Sequence, residues 1–131
     1  MNIVCVEPLG ISEAQFESLK AEFALQGHTF TYYMDRREDA ATLTDRLRDA
    51  HIGVISNIPL PAAVLSQCPH LKYLSVAFTG LDHIDLAWCR EHGVEVQNAA
   101  GYSTVAVSEL AVGLMLDLLR RITPLEAATR A

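Results

Sequence analysis

The sequence has no apolar run long enough to span a bilayer and no signal-like start, although half of its 131 residues are hydrophobic. Its three cysteines are an odd number, and no CxxC spacing pairs them. Cys5 and Cys68 are therefore interpreted as small buried hydrophobic residues. A reduced, cytoplasmic setting is expected.

The sequence also lacks an excess of basic residues. Ten lysines and arginines stand against 16 aspartates and glutamates, which leaves a formal net charge of −6. A chain with this charge balance has no basic stripe with which to neutralise phosphates. Neither nucleic acid nor a membrane is expected as a partner.

Glycine and histidine are too scattered to form the common cofactor and metal motifs. The seven glycines never have the spacing of GxGxxG or of a P-loop, which excludes dinucleotide phosphate binding by that route. The five histidines form no HExxH or comparable cluster, so no metal site is expected. No GxSxG elbow is present, and the pairing of Cys89 with His92, one helical turn apart, is interpreted as coincidence. No catalytic residue is therefore predicted.

What the sequence does contain is a regular alternation of strand and helix signals, over a length typical of one domain. The strands are predicted at 2–6, 28–33, 53–56, 73–77 and 94–97. Such an alternation implies right-handed crossovers, and therefore a parallel sheet covered on both faces. The predicted fold is α/β: a flavodoxin-like, doubly wound, five-stranded parallel sheet followed by a long apolar C-terminal helix.

Capping residues mark the ends of the first helix. Ser12 and Gln15 form a capping box at the start of a helix predicted at 12–26, and Gly27 stands where a left-handed residue would end it. Its inward face is expected to hold Phe16, Leu19 and Phe23. Further helices are predicted at 39–50, 61–67 and 85–92.

The ligand site is expected at one edge of the sheet, because ligands of doubly wound folds bind at the carboxyl ends of the strands. The loops at that edge are 57–59, 78–80 and 99–103. The loop at 78–80 contains a glycine and is suited to present successive N–H groups to a carboxylate or another small anion. Asn57, after the third strand, is expected in the same cleft. Asp82, His83 and Asp85 follow, and capping by Asp85 favours a structural role for this cluster over acid–base chemistry.

The last helix, predicted from Val105 to Ile122, is apolar on nearly every side. A single doubly wound sheet would cover only one face of it. Such a helix is either an ordinary core helix or one that also packs against a second domain or subunit. The second interpretation is preferred, and it predicts a homodimer formed through this helix.

Four motifs lie in the second half of the chain. They are Leu71-Lys72-Tyr73-Leu74, then Phe78-Thr79-Gly80-Leu81-Asp82-His83-Ile84-Asp85, then Gly93-Val94-Glu95-Val96-Gln97-Asn98 with Gly101, and finally Val107-Ser108-Glu109. In order and spacing they resemble the amino-terminal catalytic, or substrate-binding, domain of the NAD-dependent D-2-hydroxyacid dehydrogenases. The resemblance is strong from Leu71 to Arg121 and mainly architectural before that.

This resemblance implies roles for individual residues. In that family, the loop matching residues 77–80 binds the substrate carboxylate through backbone N–H groups, which agrees with the interpretation as an anion site. The position matching Ser103 often holds an asparagine near the substrate, and the position matching Thr104 holds a small hydroxyl residue that touches the cofactor. The predicted substrate-binding residues are Phe78, Thr79, Gly80, Asn57 and Ser103. The predicted cofactor contact is Thr104.

The resemblance also implies a missing part. Family members place a nucleotide-binding domain after the long helix, and that domain supplies the glycine-rich fingerprint, the substrate-orienting arginine and the histidine–acid pair. The expected division is a substrate-binding domain at 1–102 and an interdomain or dimerisation helix with a truncated tail at 103–131. Neither NAD nor NADP, the cofactors of the family, is expected to bind this chain tightly.

Two functions follow from these features. The first is a truncated catalytic domain, inactive alone, of an enzyme that interconverts D-2-hydroxy acids and 2-oxo acids with NAD or NADP. The second is a repurposed dimeric module that binds a small carboxylate or another protein. A flavodoxin-like nucleotide binder is disfavoured, because the loop at 7–10 offers only one glycine and an acidic residue.

Overall fold

A single parallel sheet of five strands organises the first part of the chain in a computed structural model that describes residues 1–130. The strands are β1 (Asn2–Cys5), β2 (Thr29–Tyr32), β3 (Ile52–Ile55), β4 (Tyr73–Val76) and β5 (Glu95–Asn98). They lie in the order β2-β1-β3-β4-β5, and every neighbouring pair is parallel. The predicted five-stranded parallel sheet is confirmed, and flavodoxin-like sheets have this strand order.

The helices are α1 (Glu13–Leu25), α2 (Ala40–Leu47), α3 (Ala62–Leu65), α4 (Leu86–Glu91), α5 (Thr104–Arg120) and α6 (Ile122–Arg130). The first four helices begin directly after residues 12, 39, 61 and 85, where their starts were predicted, whereas the last helix, α6, was not predicted. The capping box of Ser12 and Gln15 is present, and Gly27 has a φ of +75°. Asp39 caps α2 by accepting a hydrogen bond from the backbone N–H of Thr42. These local signals therefore mark both ends of α1 and the start of α2.

The core lies between the sheet and the helices that connect its strands. Leu47 of α2, Ile55 of β3 and Leu74 of β4 are fully buried in it. The packing is tightest at Gly53, where an added Cβ would come within 2.8 Å of Cδ2 of Leu74. A close fit of this kind leaves little room for larger side chains in the sheet.

An aromatic cluster joins α1 to the edge strand β2. The ring of Phe16 lies 5.2 Å from that of Phe30 and 4.4 Å from that of Tyr32, measured between centroids. Phe16 is buried, but Leu19, predicted on the same face, is 38 % exposed. The inward placement of Leu19 is therefore wrong, because the short strand β2 covers only the aromatic part of this helix face.

The chain forms two compact units, and the second begins at Ala100. The functional division predicted at residues 102 and 103 stays a prediction. Within the second unit, the uninterrupted helix predicted to Ile122 is wrong, because α5 ends at Arg120 and Arg121 is left-handed, with a φ of 52°. Continuing the helix would press the ring of Pro124 against the carbonyl group of Arg120. In α6 the same proline lies in the first turn, where it is tolerated.

The apolar side chains of α5 are exposed, and no residue of this helix is buried. Leu118 and Leu119 are each 79 % exposed. Despite this apolar character, none of the helices within residues 1–130 meets the length and hydropathy required to cross a bilayer.

Candidate functional site

The carboxyl ends of β3 and β4 lie side by side. Ile55 is paired with Val76 in the parallel register, and the backbone N–H of Ala77 donates to the carbonyl oxygen of Ile55 across 2.7 Å. Asn57 and Phe78 each lie two residues beyond this last pair. The segment at 56–58, called the β3 loop, and the segment at 77–80, called the β4 loop, therefore emerge next to each other at the edge where such sheets bind ligands.

The β4 loop is held by its carbonyl groups. The backbone N–H of Ala99 donates to the carbonyl oxygen of Phe78 at 3.1 Å, and the side-chain amide of Asn98 donates to that of Thr79 at 2.6 Å. In contrast, the N–H groups of Phe78, Thr79 and Gly80 meet no acceptor within residues 1–130. Successive N–H groups without a protein acceptor are suited to an anionic ligand.

Gly80 does not have the left-handed backbone that requires glycine. A Cβ at this position would lie 2.9 Å from Oδ1 of Asp82. That oxygen ends an exposed, short side chain, which has room to turn away. The need for glycine at this position for close approach of an anion therefore stays a prediction.

The cluster of Asp82, His83 and Asp85 has the structural geometry that the sequence favoured. Asp85 caps α4 by accepting a hydrogen bond from the backbone N–H of Trp88 at 3.0 Å. The ring of His83 approaches that of Phe78 edge-on, at 6.4 Å between centroids. Within the described part of the chain, the buried Nε2 atom of His83 has no hydrogen-bond partner, so neither aspartate pairs with it. His83 therefore supports the aromatic ring of the β4 loop from the side.

Glu7 was missed by the sequence analysis as a residue of this edge. It follows β1, its side chain is 1 % exposed, and its Oε1 atom accepts hydrogen bonds from three successive N–H groups of the β3 loop. The distances are 2.6 Å to Ser56, 3.0 Å to Asn57 and 3.2 Å to Ile58. The only sequence signal was an acidic residue directly after a buried strand, which is too common to be specific.

Arg36 was missed as well. Its Nη1 atom donates to Oε2 of Glu7 at 2.5 Å and to Oδ1 of Asn57 at 2.7 Å, while Nη2 lies 2.8 Å from Oε1 of Glu38. The guanidinium group therefore lies between two carboxylates and contacts the predicted substrate residue Asn57. Its location in a polar stretch between β2 and α2 indicated nothing beyond a solvated surface.

Ser103 and Thr104 belong to the second unit, whereas Asn57 and the β4 loop belong to the first. Ser103 occupies the N-cap position of α5, but its side chain makes no capping hydrogen bond. Thr104 is the first residue of the helix, and its carbonyl oxygen accepts a hydrogen bond from the hydroxyl group of Ser108 at 2.7 Å. The hydroxyl groups of Ser103 and Thr104 therefore form no hydrogen bond within α5 that would exclude a ligand contact.

The cysteines offer neither a nucleophile nor a metal site. Cys5, Cys68 and Cys89 are all buried and free, and burial raises the pKa of each thiol, to about 11 for Cys5. These thiols are therefore protonated at neutral pH, which makes them poor nucleophiles and poor ligands. Across residues 1–130, no group of three or more His, Cys, Asp or Glu side chains has an arrangement that would hold a metal ion.

Curated proteins similar to this chain include dehydrogenases and reductases. Glycerate dehydrogenase of Methylorubrum extorquens is 39% identical over 88 residues, which cover 67% of this chain and 28% of that protein. Erythronate-4-phosphate dehydrogenase of Shewanella loihica is 30% identical over 131 residues, which cover 98% of this chain and 32% of that protein. The chain therefore spans about 30% of the length of these two relatives.

A solved structure with the same fold is the NAD-dependent formate dehydrogenase of Staphylococcus aureus, in complex with NAD. It is 28% identical, with a TM-score of 0.79, over 98% of this chain and 41% of that one. The family model of the D-isomer specific 2-hydroxyacid dehydrogenase catalytic domain matches residues 3–131. These similarities agree with the parallel sheet and with the two adjacent loops at its carboxyl edge. The chain belongs to the D-isomer specific 2-hydroxyacid dehydrogenase family through its catalytic domain.

Proposed function

We propose that this chain is the substrate-binding half of a D-2-hydroxyacid dehydrogenase, in a doubly wound, flavodoxin-like fold. The parent reaction is the interconversion of a D-2-hydroxy acid and a 2-oxo acid with NAD or NADP. The substrate carboxylate binds to the N–H groups of Phe78, Thr79 and Gly80, and Asn57 adds a further substrate contact from the same unit. The substrate contact of Ser103 stays a prediction from the family resemblance. A polypeptide of these 131 residues alone binds the carboxylate but does not turn it over.

The observation that carries this proposal is the difference between the carbonyl groups and the N–H groups of the β4 loop. Its carbonyl groups are bound by Asn98 and Ala99, whereas the N–H groups of residues 78–80 meet no acceptor in the described chain. A loop held through its acceptors keeps its donors in a fixed arrangement before the ligand arrives. Preorganised donors are the kind of group that binds a carboxylate with little ordering cost.

The residues described here do not fit the phosphates of a dinucleotide. The loop after β1 carries the buried carboxylate of Glu7 rather than a glycine-rich turn, and the N-terminus of α1 is closed by its own capping box. A phosphate at this position would meet a negative charge and capped N–H groups. We therefore propose Thr104 as the only cofactor contact among these residues. We expect the phosphates to be bound by groups outside them.

Titration of the isotopically labelled chain with pyruvate tests the substrate site. The amide NMR signals of Phe78, Thr79 and Gly80 should shift together and saturate at one common concentration, because one carboxylate contacts all three. Sodium chloride at equal ionic strength is the control. Shifts spread over the surface, or shifts that chloride reproduces, would refute the site. A second titration, with NADH and followed by fluorescence, should show no tight binding.

A second candidate function rests on the exposed apolar surface of α5. No residue of α5 is buried, and large exposed apolar surfaces mark sites where proteins associate. We propose that two copies of the chain associate through residues 105–122, whether as a dehydrogenase dimer or as a repurposed binding module. Sedimentation at micromolar concentration should show a dimer, and Leu118→Glu should convert it to a monomer. A clean monomer of the unaltered chain would refute this interface.

A further inference from the structure

We propose that Arg36, anchored by Glu7, is a positioning residue that orients the side-chain amide of Asn57 so that its NH₂ group binds the C2 oxygen of the substrate. This inference rests on the proposed function, since it assumes a 2-oxo or 2-hydroxy carboxylate on the β4 loop. According to this inference, the β4 loop binds the carboxylate of the substrate and the β3 loop binds its C2 oxygen.

The first step concerns which donors of the β3 loop remain available. Glu7 Oε1 already accepts hydrogen bonds from the N–H groups of Ser56, Asn57 and Ile58. The buried carboxylate thus binds the backbone N–H groups of the β3 loop, whereas the N–H groups of residues 78–80 in the β4 loop have no acceptor among the described residues. The backbone of the β3 loop therefore has no N–H group to give to a ligand, and only its side chains are able to recognise one.

The second step excludes Arg36 as a direct anion-binding group. Its guanidinium is in contact with the carboxylates of Glu7 and Glu38, at 2.5 and 2.8 Å. Two carboxylates around one guanidinium leave the local charge negative rather than positive, which disfavours a substrate carboxylate at this position. The contact of Arg36 with Asn57 is then best explained as positioning.

The third step fixes the orientation of the amide group. A guanidinium has only donors, so an asparagine side chain contacts it through the carbonyl oxygen. Oδ1 of Asn57 accepts from Arg36 Nη1 at 2.7 Å, and the NH₂ group meets no acceptor within residues 1–130. Asn57 is exposed and lies two residues beyond Ile55, as Phe78 lies two residues beyond Val76, the partner of Ile55 in the sheet. Its NH₂ group is therefore a donor adjacent to the proposed carboxylate site.

A 2-oxo acid presents the matching acceptor. The carbonyl oxygen at C2 of pyruvate is bonded to the carbon next to the carboxylate, whereas propionate has the same charge and nearly the same size without that oxygen. The ratio of the two dissociation constants therefore measures recognition at C2 separately from recognition of the carboxylate.

The test compares two neighbouring arginine substitutions in the whole chain. Arg36→Met removes the contact with Asn57, and Arg37→Met is the matched control. Within residues 1–130, Asp35 is the one acidic side chain that forms an ion pair with Arg37, and loss of Arg37 changes the net charge equally. Both variants retain the Glu7 side chain, which in the unaltered chain accepts the three hydrogen bonds from the β3 loop. We expect the preference for pyruvate over propionate to fall about three- to tenfold in Arg36→Met, the effect of losing one well-oriented hydrogen bond, and to stay unchanged in Arg37→Met.

The NMR signals of the Asn57 side-chain NH₂ group provide the second measurement. They should shift with pyruvate in the unaltered chain and in Arg37→Met, and should not shift in Arg36→Met. If the amides of residues 78–80 respond to pyruvate while the Asn57 NH₂ group does not, the positioning role is overturned and the proposed function stands. If none of these groups responds, the proposed function fails as well. Equal effects of the two substitutions would also overturn the positioning role, since they would reflect charge alone.

Discussion

The side-chain amide of Asn98 donates a hydrogen bond to the carbonyl oxygen of Thr79 across 2.6 Å, and so connects the end of β5 to the loop that follows β4. Together with the bond from Ala99 to Phe78, it turns the carbonyl groups of the β4 loop toward β5. The donors that we assign to the substrate carboxylate belong to the same peptide segment. The arrangement of the substrate site therefore depends on a side chain that need not touch the substrate.

Asn98→Ala should weaken carboxylate binding by about three- to tenfold, because the β4 loop loses one of its two attachments to β5. Pyruvate titration followed by the amide signals of residues 78–80 measures this effect. Gln97→Ala is the control, since the Gln97 side chain forms hydrogen bonds with Tyr73 and Glu95 and with no other group in the described part of the chain. Equal binding by the Asn98→Ala variant and the unaltered chain would show that the loop keeps its conformation without this bond.

Asp82→Asn should strengthen carboxylate binding by about two- to fivefold at low salt. Oδ1 of Asp82 lies 2.9 Å from the position that a Cβ of Gly80 would take, so its charge lies beside the donors of the β4 loop. The gain is modest because the aspartate is exposed to solvent and its field is screened. The same titration at low and high ionic strength measures it, and a gain that persists at high salt would contradict an electrostatic cause.

Gly53→Ala should lower the free energy of unfolding by about 1 to 3 kcal/mol, the usual cost of overfilling a core. The new methyl group would lie within 2.8 Å of Leu74 and 3.2 Å of Leu47, both fully buried. Urea unfolding followed by circular dichroism measures the change. Gly113→Ala is the control, because a Cβ there meets nothing within 4 Å and alanine favours the helix. A stable Gly53→Ala variant would show that Leu74 repacks freely.

The stability of the first unit should fall as the pH rises from about 9 to about 11. Burial, with a smaller contribution from the charge of Glu7, raises the pKa of the Cys5 thiol to about 11, against an ordinary value of 9.0. In this window the unfolded chain has lost the thiol proton and the folded chain keeps it, so that rising pH favours unfolding. Below pH 9 both states are protonated and the effect vanishes.

For this thiol alone the loss approaches about 2 to 3 kcal/mol at the upper end of the window, since each unit of pKa difference corresponds to about 1.4 kcal/mol. Urea unfolding at several pH values measures it. Cys5→Ala will be less stable at neutral pH, but its stability should decline less between pH 9 and 11. Identical pH profiles for the two proteins would show that Cys5 does not titrate in this window.

The sequence anticipated the features that depend on neighbouring residues. The capping box at Ser12, the cap at Asp85 and the left-handed Gly27 are all present, because each involves atoms only a few residues apart. The break at Arg121 was missed, although Pro124 is a local signal, because the apolar run was given more weight than the proline. The preference of proline for the first turn of a helix indicates a new helix start shortly before Pro124.

The parts of the site that were missed involve residues far apart in the chain. Glu7 contacts Ser56 across a sequence separation of 49, and Arg36 contacts Asn57 across one of 21. Asn98 belongs to the motif at 93–98, but nothing in that motif indicates its contact with Thr79, 19 residues away. Residues of these three types are common on protein surfaces. The residues next to Glu7, Arg36 and Asn98 in the sequence do not distinguish them from ordinary surface residues.

The sequence by itself determined that this protein has a parallel α/β sheet, where its first four helices begin, and which loops lie at the carboxyl edge, because hydrophobic period and capping are local properties. Only the tertiary structure decided which backbone donors at that edge remain available. Strand order brings Glu7 to the β3 loop and Asn98 to the β4 loop, so that one loop has its N–H groups bound by the protein and the other does not. Hydrogen bonds between distant residues depend on how strands pair, and no pattern along the chain specifies those partners.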